Sequence, residues 1–442
     1  MHSESMEKKW LWLGIIALAI AGVFALVLVV ARTPQLKEIV LAQQLFSVAL
    51  VIHVDLSVLV WFLSMIGMGL SAYIARAGGA PIAYLQPTAF WSMAAGTALM
   101  ALSPLDGEWE VIKSNYIPVL YNVMFFLGLS LMAASMLILS MGVLMAKREV
   151  TAEGFCWRIM AWILLLALAM FAANGALMPE EIPHKDRYEF LFWSGGHTLQ
   201  FAYCLMAIFA WAALYKARTG EEGVASPFYL LAGLTSVAGV LMPLYAYSHF
   251  AVDSPEFQRA FTQAMIYLGG VAPTVIGALL LFKLLRAPSR TPDSRAASSA
   301  LWMSLLVFGM GGLLGLMIQG QNVTIPAHYH GSIVGVTLAL MGYAYTQLPR
   351  LGYRNVLHLR TAFWQPIILG IGQVMHIGGL AYSGGYGVLR KQAVGNTSFP
   401  PDIQAALGFM GLGGLLAIIG GLMFVVVMVR ALRQPIVTHH VS

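Results

Sequence analysis

An all-α, polytopic membrane protein is the fold class that this sequence predicts. Of its 442 residues, 59% are hydrophobic and only 10% are charged, whereas a soluble domain carries about 25% charged residues. A transmembrane helix needs about 20 mostly apolar residues, and twelve such stretches follow one another with no soluble domain between them. The sequence therefore predicts a single transmembrane domain over residues 1–442. The twelve predicted spans are 10–31, 45–74, 86–104, 117–146, 156–178, 188–216, 228–250, 258–286, 297–319, 326–348, 362–384 and 404–432.

Basic residues flank the spans, and their distribution orients the chain. With a cytoplasmic N-terminus, the two tails and the even-numbered loops hold 17 of the 25 Lys and Arg residues. Because cytoplasmic loops are enriched in Lys and Arg, both termini are predicted to be cytoplasmic. The stretch from Met1 to Trp10 leads into span 1 without a small-residue cleavage site, so a retained first helix is predicted rather than a signal peptide. The net charge of +6 therefore comes from loop residues that orient the chain in the membrane. It does not predict nucleic-acid binding.

Histidines recur inside the apolar stretches, where ionisable side chains are costly and usually functional. In the predicted topology all of these histidines fall in the outer half of the membrane, whereas scattered structural histidines would fall in both halves. The histidines are His53 in span 2, His197 in span 6, His249 in span 7, His328 and His330 in span 10, and His376 in span 11.

Cys156 and Cys204 are isolated, which excludes a disulfide framework, a cysteine zinc site and a covalent haem motif.

His328 and His330 form a His-x-His pair at the start of span 10. On a helix, residues two apart point about 200° away from each other, because each residue turns the chain by about 100°. Such a pair cannot chelate one metal from a single helical face. It can instead place one imidazole on each of two centres that flank the helix, which suggests two haems on either side of it.

The segment from Ala327 to Gly331, followed by Met341-Gly342-Tyr343, resembles helix 10 of the catalytic subunit I of the haem–copper oxidase superfamily. That superfamily comprises oxygen reductases and nitric oxide reductases, and the resemblance covers essentially the whole chain. It implies twelve core helices, with His328 as the axial ligand of a high-spin haem. It also implies that His53 and His330 are the two axial ligands of a low-spin haem of b or a type. A six-coordinate iron carries electrons, while a five-coordinate iron keeps an open position for substrate.

The second metal of this superfamily is copper, and the resemblance implies two ligands for it here. His197 resembles the copper ligand of helix 6, and His249 resembles the second histidine of the usual pair on helix 7. Ser248 occupies the place of the first, so copper would have two imidazoles, although Cu(II) prefers more ligands. Water, Tyr245 or Tyr247 would complete the shell.

Further positions depart from the family pattern. Phe201 stands four residues after His197, where oxygen reductases can carry a cross-linked Tyr, and no carboxylate occupies positions 199–201. His376 has no ligand role in the family and is predicted to be a core histidine or a donor beside a haem. Arg390 and Lys391 resemble the paired arginines near the haem propionates, with which cations form strong charge-assisted hydrogen bonds.

The predicted function is that of a membrane terminal reductase that passes electrons from the low-spin haem to a high-spin haem and second metal, where oxygen is reduced. The absent Tyr favours reduction of nitric oxide to nitrous oxide, and the absent helix 6 glutamates argue against it. A degenerate di-haem electron-transfer or gas-sensing protein, and a twelve-span transporter, are the alternatives. Electrons would come from a cupredoxin or cytochrome c type partner subunit or from quinol. The predicted location is the cell inner (plasma) membrane, where the protein contacts lipid.

Overall fold

Helices form nearly all of the described chain, as its composition predicts. The computed structural model describes residues 2–32, 40–77, 85–107, 110–147, 149–286, 294–318, 322–385 and 400–434. In chain order the α-helices are α1 (His2–Arg32), α2 (Val40–Val54), α3 (Trp61–Ala77), α4 (Gln86–Leu102), α5 (Val123–Met145), α6 (Ala152–Leu177), α7 (His184–Thr219), α8 (Ser226–Leu241), α9 (Ala246–His249), α10 (Pro255–Ala264), α11 (Val271–Arg286), α12 (Arg295–Leu316), α13 (Thr324–Gln347), α14 (Arg360–Gly385) and α15 (Pro401–Leu432).

The predicted fold class is confirmed, since every predicted span overlaps a helix over most of its length. Among the described residues, ten helical stretches are long and apolar enough to cross a membrane. Helices α4 and α13 coincide with predicted spans 3 and 10 but are not among the ten. Helix α4 has only 17 residues, and α13 begins with the polar His-x-His segment. The chain is an integral membrane protein, and the exact count of twelve spans stays a prediction.

Three predicted spans are irregular rather than continuous α-helices. In span 2, a π-helix (Asp55–Val60) joins α2 to α3. Span 7 changes to a 3₁₀ turn (Met242–Tyr245) that contains Pro243, and proline cannot supply the amide that a continuing helix needs. In span 8, a second π-helix (Met265–Gly269) joins α10 to α11. Because π segments inside helices are frequent at functional sites, spans 2 and 8 are candidates for carrying functional residues.

A β-hairpin precedes α5, in the region where span 4 was predicted to begin. Strands β1 (Glu110–Ile112) and β2 (Val119–Tyr121) pair antiparallel, with Val111 opposite Leu120. The predicted start at residue 117 is therefore wrong. The helix begins only at Val123, because the side chain of Asn122 accepts a hydrogen bond from the Phe125 amide and caps the first turn.

The first of two compact units comprises residues 1–17, 51–208 and 224–277. In this unit α1 and α3 pack through two reciprocal tryptophan–glycine contacts. A Cβ built on Gly67 would lie 2.7 Å from Cε3 of Trp10, and one on Gly14 would lie 2.7 Å from Cε3 of Trp61. Each glycine therefore leaves the space that an indole ring from the other helix occupies.

The second compact unit comprises residues 18–50, 209–223 and 278–442. In this unit α12 packs against α13, and α14 packs against α15, so closely that the two backbones within each pair touch. A Cβ on Gly311 would lie 2.2 Å from the Ser332 nitrogen, and one on Gly413 would lie 2.6 Å from the Gly372 oxygen. Small residues allow such close helix packing in membranes. The α12–α13 contact also brings the α12 backbone beside the start of α13.

Substitution of Gly311 by alanine is expected to destabilise the second unit, whereas the same change at the adjacent Gly312 is expected to be tolerated. The added methyl group at Gly311 would overlap backbone atoms, but a Cβ at Gly312 has no atom within 4 Å. Overpacking costs about 1–3 kcal/mol, and the upper end applies because backbone cannot rotate away. Thermal unfolding of both variants in detergent provides the measurement. Equal melting temperatures would contradict the close α12–α13 approach.

Candidate haem and substrate site

His328 is fixed on α13 by a carbonyl group of α12. Its Nδ1 lies 2.7 Å from the Gly311 oxygen, and a Cβ on Gly315 would lie 2.7 Å from both Cε1 and Nδ1 of the same ring. Since a carbonyl only accepts hydrogen bonds, Nδ1 carries the proton and Nε2 keeps its lone pair. Metal-bound histidines almost always donate their other ring N–H in this way. His328 therefore fits the role of an iron ligand through Nε2.

His330 faces a different helix from His328. Its ring centroid lies 4.9 Å from that of His376 on α14, with the planes at 67°. The side-chain amide of Gln373, also on α14, donates to the His330 carbonyl at 3.5 Å. The two rings of the His-x-His pair thus contact α12 and α14 respectively, as their helical spacing predicts.

His376 is half-buried on α14 and is held by a backbone group. Its Nδ1 lies 3.0 Å from the carbonyl oxygen of Met410 on α15. This hydrogen bond and the ring contact with His330 agree with the prediction of a core histidine close to a proposed haem ligand.

His53 lies near the end of α2, immediately before the π-helix, and is half-buried. Its carbonyl oxygen accepts a hydrogen bond from the Ser57 hydroxyl at 2.6 Å, so the wider helical turn does not leave it unpaired. Asp55 is fully buried, and neither of its carboxylate oxygens has a hydrogen-bond partner among the described residues. The pairing of His53 with His330 on one iron stays a prediction.

His197 lies buried on α7 within a cage of hydrogen-bonding groups. Its Nδ1 is 2.9 Å from the Trp193 carbonyl oxygen. The Tyr116 hydroxyl lies 2.8 Å from Nδ1 and 2.9 Å from Nε2, and the Thr262 hydroxyl lies 3.3 Å from Nε2. Because the carbonyl requires a proton on Nδ1, Nε2 is the nitrogen that can accept, and the Thr262 hydroxyl lies beside it. A hydroxyl oxygen almost equally far from both ring nitrogens lies over the face of the ring, so Tyr116 contacts His197 through that face.

Tyr116 is a site residue that the sequence did not predict. It lies in the loop of the β-hairpin, and its ring packs on the α7 backbone where Gly196 leaves room. Burial of the hydroxyl, with a further contribution from the negative charge of Glu189, raises the pKa of Tyr116 well above its usual value. The phenol is thus neutral at physiological pH and serves as a hydrogen-bond donor. The glycine before His197 was the one available sequence signal for an aromatic neighbour.

Tyr247 on α9, rather than His249, faces α7. Its hydroxyl donates to Oδ1 of Asn174 at 2.8 Å and lies 2.9 Å from the Ser194 hydroxyl. His249 follows two residues later, is exposed, and has its Nδ1 2.8 Å from the Tyr245 carbonyl oxygen.

The side chains described around His197 do not fit copper. They supply one imidazole, whose nitrogens are already hydrogen-bonded, together with neutral hydroxyl groups. Copper sites in proteins are built mainly from imidazole and sulfur ligands. Within the described ranges, no group of three or more His, Cys, Asp or Glu side chains is arranged to hold a metal ion. A shared site with His249 stays a prediction, and Arg390 and Lys391 lie outside the described residues.

Comparison with known proteins decides the family. The family model described as cytochrome c and quinol oxidase polypeptide I matches residues 5–423. The chain belongs to the haem–copper oxidase subunit I family. Members are membrane oxidoreductases that bind haem and copper and normally work with electron donors and other subunits, so this chain is assigned to the oxidoreductases.

Individual relatives cover almost the whole chain. An uncharacterized protein of Rickettsia prowazekii (strain Madrid E) is 33% identical and covers 96% of this chain and 95% of its own length. An uncharacterized protein of Aquifex aeolicus (strain VF5) is 26% identical, over 79% of this chain and 86% of its own. A cryo-EM structure of a heme-copper terminal oxidase dimer matches with a TM-score of 0.74 and 16% identity, over 98% of this chain and 84% of the other. That structural likeness supports the fold.

Proposed function

We propose that this chain is the catalytic subunit of a membrane terminal reductase in which a low-spin haem passes electrons to a high-spin haem that reduces dioxygen to water. The observation that carries the proposal is the fixed tautomer of His328. Its Nδ1 donates to the Gly311 carbonyl at 2.7 Å, which leaves the Nε2 lone pair available to one iron. His53 and His330 would hold the other iron through two imidazoles. The bound haems supply electron transfer and an open position for a diatomic gas.

One feature of the first unit supports dioxygen as the substrate. The phenol of Tyr116 lies at His197, although it comes from the β-hairpin loop and not from the helix 6 or 7 position of the cross-linked Tyr, whose absence favoured nitric oxide. An open apolar pocket of about 250 Å³ in the same unit is lined in part by Ile117, Phe171 and Leu199. Its walls suit a small, uncharged gas, dioxygen and nitric oxide alike.

The remaining parts of the proposal come from the family. Electrons would arrive from a cupredoxin or cytochrome c type partner subunit or from quinol. Arg390 and Lys391 would pair with haem propionates, as cations do with carboxylates. The protein would lie in the cell inner (plasma) membrane as a multi-pass subunit with both termini cytoplasmic.

The test is purification from membranes with any partners, followed by haem extraction and consumption of dioxygen and nitric oxide measured side by side. Four electrons and four protons per dioxygen, giving two waters, are expected. Preferential consumption of nitric oxide would favour a nitric oxide reductase. Haem without consumption of either gas would indicate a di-haem electron-transfer or gas-sensing protein, and the lack of any haem spectrum would refute the proposal.

A further inference from the structure

We infer that the site around His197 is a copper-free imidazole–phenol pair, in which Tyr116 of the β-hairpin loop acts as a positioning residue for the His197 ring. The inference rests on the proposed function only in taking the protein to carry haem. It separates this chain from the general pattern of its family, in which His197 would be a copper ligand.

Neutral groups surround the imidazole of His197 at both ring nitrogens and over one face. A neutral imidazole has one donor and one acceptor nitrogen. The donor, Nδ1, is taken by the Trp193 carbonyl at 2.9 Å, and the Thr262 hydroxyl lies 3.3 Å from the acceptor, Nε2. The Tyr116 hydroxyl lies over the ring face, 2.8 Å and 2.9 Å from the two nitrogens. A copper ion on Nε2 would have to displace the Thr262 hydroxyl, and none of these neutral groups is a preferred copper ligand.

The loop that carries Tyr116 is anchored to the same helix as His197. The carboxylate of Glu189, two turns before His197 on α7, accepts a hydrogen bond from the backbone N–H of Asn115 at 2.9 Å. It also accepts one from the Asn115 side chain, and the Ser114 hydroxyl donates to the Ile117 carbonyl within the loop. These bonds fix the backbone on both sides of Tyr116, so its position follows from the fold of the loop.

Helix α7 is built to receive the Tyr116 ring. A Cβ on Gly196 would lie 2.2 Å from Cγ of Tyr116, a distance that no side chain could tolerate. The ring centroids of Tyr116 and His197 are 4.9 Å apart, and that of Trp193 lies 5.9 Å from Tyr116 on another side. The aromatic ring thus occupies a shaped recess beside the imidazole.

The second imidazole that copper would require is turned away from this recess. Tyr247 directs its hydroxyl to Ser194 and Asn174, and the residue two positions later on a helix points about 200° from it. That residue is His249, which is exposed and bonds the carbonyl of its own preceding turn.

The decisive experiment is the copper-to-iron ratio of the full-length protein, purified from cells grown with added copper. We expect haem iron with essentially no copper, in the wild type and in His197→Ala alike. A ratio near one copper per two irons, with the copper lost in His197→Ala, would overturn the inference. Protein that lacks haem would refute the proposed function, while its copper content would still decide the present inference.

A double-mutant cycle tests the positioning role of Tyr116. Tyr116→Phe and His197→Ala are each expected to lower the melting temperature, and the double variant is expected to fall no further than the more affected single variant. Groups in direct contact give such non-additive losses, whereas independent residues give additive ones. Tyr121→Phe is the matched control, because Tyr121 lies on the same hairpin and is exposed. Additive losses, or equal losses in Tyr116→Phe and Tyr121→Phe, would contradict the pair.

Discussion

Replacing His328 with alanine is expected to remove the high-spin haem and to reduce dioxygen consumption to the background rate. His328 would be the sole protein ligand of this iron, since a five-coordinate haem has one axial residue. The Gly311 carbonyl, 2.7 Å from Nδ1, raises the basicity of the ring and fixes its orientation, but it cannot replace the ligand. Haem extraction and the reduced-minus-oxidised spectrum provide the measurement, and the low-spin component should remain.

His376→Ala is the matched control for this prediction. His376 is also a half-buried histidine of the second unit, but its Nδ1 bonds the Met410 carbonyl and it is not a proposed ligand. Its replacement is expected to preserve both haems with at most a small shift in the spectrum. Retention of full activity in His328→Ala would contradict the assignment of the substrate iron.

The fold class could be predicted because membrane insertion leaves a strong compositional mark. About 20 apolar residues in a row have few alternatives to a spanning helix, and all twelve predicted spans overlap helices over most of their length. The errors occurred where short apolar runs are ambiguous between strand and helix. Residues 117–121 are apolar and precede α5, yet 119–121 form a strand, and the cap at Asn122 was the signal for the true helix start.

The candidate site could be predicted only where it depends on local spacing. The His-x-His geometry follows from the helical repeat, and the structure places His328 against α12 and His330 against α14. Tyr116 could not be found in this way, because it lies 81 positions from His197 along the chain. Its placement depends on the hairpin and on Glu189, which are tertiary features without a periodic sequence pattern.

The orientation of α9 shows a similar limit. A continuous helix over residues 228–250 gives no reason to prefer His249 over Tyr247 as the residue that faces α7. The 3₁₀ turn at Met242–Tyr245 changes the rotation of the last helical turn. Tyr247 consequently bonds Ser194 and Asn174, and His249 is exposed. Proline at position 243 predicts an interruption but does not give its angle.

Replacing His53 or His330 with alanine is expected to abolish the same low-spin haem spectrum while dioxygen consumption falls to the background rate. Two imidazoles make an iron six-coordinate and low-spin, and the loss of either one leaves it five-coordinate and high-spin. Both variants should therefore convert the low-spin band and retain much of the haem, unlike His328→Ala. His358→Ala, a change at an exposed loop histidine, is the control and should keep both components. If the low-spin band survives in either variant, His53 and His330 do not share an iron, and the electron route from low-spin to high-spin haem must use another ligand.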